Sequence, residues 1–148
     1  MKLISLNYRG LESTRKKVSI KRMLSVHKPD VVLLQENLGP ELDVTTLISS
    51  ISPLYTFLAQ SARGHSGGFA IGWNESTITC SNSWGSPIGL GVQIIWAEEN
   101  LNMNIVNIYG PYNNRVEFLE SFKNSKIARK GNMIIGGDLN FTVGAHEI

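Results

Sequence analysis

The sequence predicts a mixed α/β sandwich, and three observations carry that reading. The chain opens strand–helix–strand and its second strand is a continuous apolar run, Val31-Val32-Leu33-Leu34. A long series of strand-like segments follows before a last helix and strand. At 148 residues, with 42% hydrophobic and 18% charged side chains, the chain can bury the core of one domain.

The elements follow in order. Lys2–Leu6 alternates apolar and polar side chains, the period of a strand. Ser13 or Thr14 can cap a helix running to about Val26, its apolar side built from Val18, Met23, Leu24 and Ile20. His27-Lys28-Pro29 ends it, because the residue before proline is pushed from helical angles. Val31–Leu34 reads as a strand covered on both faces. Glu41–Ile51 is a helix candidate closed by Ser52-Pro53. Strands are expected at Tyr55–Ala59, Gly68–Trp73, Thr77–Ser81, Gly91–Trp96 and Met103–Tyr109. Asn113 or Asn114 can cap a helix over Val116–Phe122, and Met133–Ile135 is a final buried strand running into Gly136-Gly137-Asp138-Leu139-Asn140.

Composition excludes some classes. No apolar run approaches the roughly 20 residues that cross a bilayer, and the N-terminus lacks a secretory apolar stretch, so no membrane partner and no secretion are expected. The single Cys80 makes no internal disulfide and has no adjacent basic group to activate it, which suits an intracellular location. Net charge is only +2, but residues 1–30 hold eight Lys/Arg against two acids. They carry +6, and the remaining 118 residues −4. Such a segment can face a polyanion or simply be a solvated helix face. Trp73, Trp84 and Trp96 lie at strand positions and read as core or half-buried sheet residues rather than stacking platforms for bases.

The functional signal lies at strand ends. Asn7 follows the first strand, Glu36 the buried run, Tyr109 closes the strand from Met103, and Asp138 and Asn140 follow the last. If these strands are neighbours, five polar groups meet at one rim, where sites in α/β folds gather. Asn, Glu and Asp are oxygen donors suited to a hard cation such as Mg²⁺. Taken singly, Asn7 can cap a turn, Glu36 can be a solvated charge, and Asp138-Leu139-Asn140 can be an Asx-turn.

Five ordered segments resemble one family: Lys2–Leu11, Pro29–Glu36, Ser66–Trp73, Asn107–Pro111 and Gly136–Asn140. They are similar to the endonuclease/exonuclease/phosphatase superfamily, the DNase I-like fold. Within it they look like the apurinic-type endonuclease domain of plant non-LTR (LINE-type) retrotransposons. The resemblance implies an incomplete DNase I-like four-layer α/β sandwich and a phosphodiesterase that nicks DNA with Mg²⁺, or Mn²⁺ in its place; an intracellular setting, the nucleus among the options, is expected. It implies Glu36 as principal metal ligand with Asn7 beside it, and Asp138 orienting or deprotonating the attacking water. It further implies Asn140 donating to a phosphate oxygen and Tyr109 touching the scissile phosphate. Arg9, Ser66, Gly67, Tyr112 and Asn113 are the expected substrate contacts.

Two departures qualify the likeness. Repair members have Asn-x-Asp after the first strand, where this chain has Asn7-Tyr8-Arg9. The family's later Asp and terminal Ser-Asp-His segment have no counterpart, and none of His27, His65 or His146 is placed to replace that histidine. The chain is therefore expected to be one C-terminally truncated domain, with one sheet and the start of a second. An apolar sheet face would then be left open for self-association. A catalytically inactive remnant that still binds metal or nucleic acid is the alternative expectation, and a phosphatase of the same superfamily a further one.

Overall fold

The computed structural model describes residues 1–8, 13–36, 50, 52–61, 68–125, 128 and 131–140. In chain order the elements are β1 (Leu3–Asn7), α1 (Thr14–His27), β2 (Val31–Gln35), β3 (Tyr55–Gln60), β4 (Phe69–Asn74), β5 (Ile78–Ser86), β6 (Gly89–Trp96), β7 (Leu101–Tyr109), α2 (Arg115–Asn124) and β8 (Met133–Asp138). The expected helix at 41–51 lies outside the described residues except for Ser50, which sits in a turn.

The strands form two four-stranded sheets, ordered β1-β2-β4-β3 and β5-β6-β7-β8. Each contains one parallel pair, β1 with β2 and β7 with β8, and is otherwise antiparallel. β1 lies against β8, β2 against β7 and β8, and β4 against β6 and β7. Val31, Leu33, Ile71, Val92, Ile94 and Ile105 fill the space between the sheets. Ile20 and Leu24 of α1 pack with Val32, Leu34, Phe57 and Ala70 on the outer face of the first sheet. Phe122 of α2 packs with Val106 and Ile108 on the outer face of the second. The result is a helix–sheet–sheet–helix sandwich, the layered α/β arrangement that was expected, with four strands in each sheet among the described residues.

Local chemistry explains the elements. The Ser13 side chain accepts from the Lys16 amide to start α1, and Lys28 ends it with φ of 43° while its amide donates to the Leu24 carbonyl. All of β2 is buried because α1 covers one face and the second sheet the other. β3 alternates buried and half-buried, the period read from sequence.

Three expectations are corrected. Val18 is 60% exposed and Ile20, not Val18, anchors α1, because the helix turns 100° per residue and only one stripe faces the sheet. The last strand runs on to Asp138 and is not buried: Ile134 and Ile135 are 38% and 41% exposed, since among the described residues β8 pairs only with β7. Asn114 holds the N-cap of α2 at φ 57° without a side-chain cap bond, so its contribution is the left-handed turn alone. Trp73 is core, and Trp84 and Trp96 are half-buried against core clusters.

Candidate active site

The two parallel pairs place four C-terminal strand ends at one edge of the sandwich. Asn7 pairs with Gln35 across β1–β2, and Glu36 follows immediately. Tyr109 pairs with Asp138 across β7–β8. The packing of β1 and β2 on β7 and β8 then brings both sets together.

Asn7 joins the two sheets. Its Nδ2 donates to Glu36 Oε1 at 2.9 Å and to Asp138 Oδ2 at 2.8 Å. Each amide hydrogen thus serves one carboxylate, one from each sheet. Tyr109 donates its hydroxyl to the same Glu36 Oε1 at 2.6 Å. Asp138 is held on its other oxygen by the backbone amide of Asn140 at 2.9 Å, an Asx-turn inside the site rather than instead of one. The Asn140 side chain donates to the Gly110 carbonyl at 2.6 Å, which fixes it beside Tyr109 and gives it a partner the sequence did not suggest.

The backbone around the cluster is unusual. Glu36 and Asn140 adopt φ of 56° and 54°, left-handed for non-glycine residues. Gly137 has φ of 141°, and a Cβ there would lie 1.8 Å from the Ile108 carbonyl oxygen. That position admits only glycine, and it sets Asp138 against the end of β7.

Electrostatics favour a cation. Two carboxylates converge on one amide, while Asn7 Oδ1 is buried and has no hydrogen-bond partner. An unpaired buried acceptor is costly, and a cation would satisfy it. Glu36 and Asn7 Oδ1 are oxygen donors that fit a hard divalent ion keeping most of its water shell, with Asp138 held beside them by the Asn7 amide. Among the described residues no group of three or more His, Cys, Asp or Glu forms a ready-made cage. The Tyr109 phenol is pushed well above its ordinary range, first by burial and then by its hydrogen bonds to Glu36 and Tyr112. It stays a neutral donor at physiological pH.

Asn7, Glu36, Tyr109, Asp138 and Asn140 therefore form one cluster. Tyr112 reaches it through Tyr109 and is itself 61% exposed, and Asn113 is exposed beside it. Arg9, Ser66 and Gly67 lie outside the described residues, as do His65 and His146. His27 closes α1, where its carbonyl accepts from Lys2 Nζ beside the start of β1, away from the strand ends that carry the cluster. Burial raises the Cys80 thiol, which keeps it inert.

Sequence reasoning missed two residues beneath the site. Gln35 and Asn107 are 1% and 0% exposed. Gln35 Nε2 donates to Asn107 Oδ1 at 2.6 Å and to Ser5 Oγ at 3.1 Å, and Asn107 Nδ2 donates to the carbonyls of Leu34 and Ala70 at 2.9 and 3.0 Å. This brace ties β2, one residue before Glu36, to β7, two residues before Tyr109. The available signal was an amide at the end of an otherwise apolar strand, since a polar group there needs a buried partner.

Comparison with solved structures gives the same fold. The Bacteroides thetaiotaomicron mannosyl-6-phosphatase Bt3783 superposes with a TM-score of 0.72 at 16% identity, covering 95% of this chain and 65% of that one. D. rerio TDP2 complexed with a single-strand DNA product gives 0.73 at 20% identity, covering 96% and 61%. The human Nocturnin catalytic domain with bound sulfate gives 0.69 at 14% identity, covering 96% and 64%. The chain thus spans less than two thirds of the length of each. No curated protein sequence matches it. The model of the Endonuclease/Exonuclease/phosphatase family matches residues 4–147, so with the strand-end cluster in place the chain belongs to that family.

Proposed function

We propose that this chain is a metal-dependent phosphodiesterase that nicks DNA, of the retrotransposon-endonuclease type, working in the nucleus. The observation that supports it best is Asn7, whose amide nitrogen bridges Glu36 and Asp138 while its oxygen is buried without a partner. Glu36 and Asn7 would hold Mg²⁺, or Mn²⁺ in its place. When bound, the ion supplies Lewis-acid stabilisation of charge on the phosphate oxygens.

The chain's own groups have distinct work. Asp138, fixed by Asn7 and the Asn140 amide, orients the attacking water and takes its proton as the new P–O bond forms. The opposite P–O bond breaks meanwhile, and the departing sugar oxygen takes a proton from solvent. Tyr109 and Asn140 are neutral donors that meet growing negative charge without adding net charge of their own. Tyr112 and Asn113 offer exposed contacts to the flanking substrate. A supercoiled-plasmid nicking assay with Mg²⁺ tests the proposal. Glu36→Ala and Asp138→Ala are each expected to lower the rate by about 10²–10⁴. Nicking that both substitutions leave unchanged would refute it.

A second reading is a phosphatase acting on a sugar phosphate. It is favoured by the fold likeness to the mannosyl-6-phosphatase. Release of inorganic phosphate from a hexose 6-phosphate, with no plasmid nicking, would select it.

A further inference from the structure

The catalytic cluster uses none of the positive charge that residues 1–30 concentrate. The fold gathers most of that charge on α1, which carries Arg15, Lys16, Lys17, Lys21 and Arg22, ends on Lys28, and holds no Asp or Glu. Ile20 and Leu24 face the sheet; Arg15, Lys21, Arg22 and Lys28 are exposed and Lys17 is half-buried. Lys16 lies over the Tyr8 ring and donates Nζ to the Tyr8 carbonyl at 2.9 Å. The ridge therefore starts beside the residue that follows Asn7. Its 14 helical residues extend roughly 21 Å from there.

This distribution opposes helix stability. The first turn has basic side chains and no acid, against the partial positive charge of its free N–H groups. Lys17 and Lys21 stand one turn apart and repel. A line of anions along the helix would relieve both. Beside Lys21 and Lys28 lies a cleft of about 460 Å³ whose wall also offers Ser25, Ser52 and Asn74, with no acidic group among the described residues lining it.

We infer that α1 is a binding ridge for the phosphodiester backbone of a nucleic-acid strand that continues from the catalytic cluster. The link to cleavage rests on the hydrolase reading; the binding does not. A duplex strand sets one phosphate per roughly 3.4 Å of axis, so the ridge spans about six. A hexose phosphate is far too short to meet both Arg15 and Lys28. A lipid surface would need a continuous apolar helix face to insert, and outside the stripe packed on the sheet α1 offers only Val18 and Val26, two turns apart among basic and hydroxyl side chains.

The test is fluorescence anisotropy of a labelled DNA strand of about 20 nucleotides with the full chain, in EDTA so that nothing is cleaved. Two variants are compared with wild type: Arg15→Gln/Arg22→Gln and Lys17→Gln/Lys21→Gln/Lys28→Gln, with Lys123→Gln on α2 as control. Each is expected to weaken binding at low salt by about tenfold or more and to flatten the log–log salt dependence by about one for every phosphate no longer neutralised. Both should melt at or above the wild-type temperature in low salt, since repulsion is removed, and Lys123→Gln should bind as wild type. Unchanged affinity and slope in the folded variants would overturn the inference, as would wild-type binding to phosphatidylserine vesicles but not to DNA. Hydrolysis of bis(p-nitrophenyl) phosphate, expected to be equal in wild type and variants, reads the cluster separately. If none of them hydrolyses it while the variants lose DNA binding, the ridge stands and the hydrolase reading fails.

Discussion

Asn7 is the single side chain on which the site depends, because one neutral amide holds two carboxylates within reach of each other. Asn7→Asp replaces that double donor with a third carboxylate. In EDTA the variant is expected to lose about 2 kcal/mol or more of stability, and Mg²⁺ should restore part of it; urea denaturation with and without the metal measures both. Tyr109 gives a second test. Its phenol is raised by burial and by Glu36 and Tyr112, so the fold favours the protonated form. That stabilisation is fully present below the unfolded value near 10 and is lost as pH climbs through the higher folded value. Tyr109→Phe should therefore flatten part of the alkaline decline in stability, while Tyr8 and Tyr55, also raised by burial, keep the rest. A denaturation series from neutral pH to above 10 reads the difference. At this scale the sequence already named Asn7, Glu36, Tyr109, Asp138 and Asn140. It could not show that Asn140 binds Gly110, or that Glu36 sits at positive φ, because both depend on how β7 and β8 end side by side.

Among the elements, those with local signals were legible. The Ser13 cap, the Pro29 stop and the uninterrupted apolar β2 each act within a few residues, and each element lies where its signal puts it. Boundaries moved where long-range pairing decided them: β5 extends to Ser86 because β6 pairs with it that far, past a bulge at Cys80/Asn82. The Gln35–Asn107 brace is an element-scale feature, joining β2 to β7 below the strand-end cluster. Gln35→Leu or Asn107→Leu alone leaves a buried amide unpaired and is expected to cost about 1–3 kcal/mol, while the double substitution should cost less than the sum. A double-mutant cycle by chemical denaturation checks the coupling. In the single variants kcat should fall more than KM rises, because the brace sets the Glu36–Tyr109 geometry rather than substrate contact.

The whole molecule is a two-sheet sandwich whose β1 and β8 edges, among the described residues, each pair on one side only. The β8 edge carries two partly exposed apolar side chains, Ile134 and Ile135, at 38% and 41%. An open edge with apolar side chains favours association. The chain is expected to self-associate as concentration rises, and Ile135→Lys to suppress this without lowering the melting temperature; sedimentation velocity and a thermal melt decide it.

Legible along the chain were the eight strands, the helices α1 and α2, the polar residues at the strand ends and the family those motifs resemble, since periodicity, caps and motif order are local. Folding in three dimensions was needed to show that two parallel pairs stack with their C-terminal ends together, that Asn7 spans both sheets, and that β8 pairs on one side among the described residues. Those outcomes turn on contacts between residues more than a hundred positions apart, such as Asn7 with Asp138, and no local pattern encodes which distant surfaces will meet.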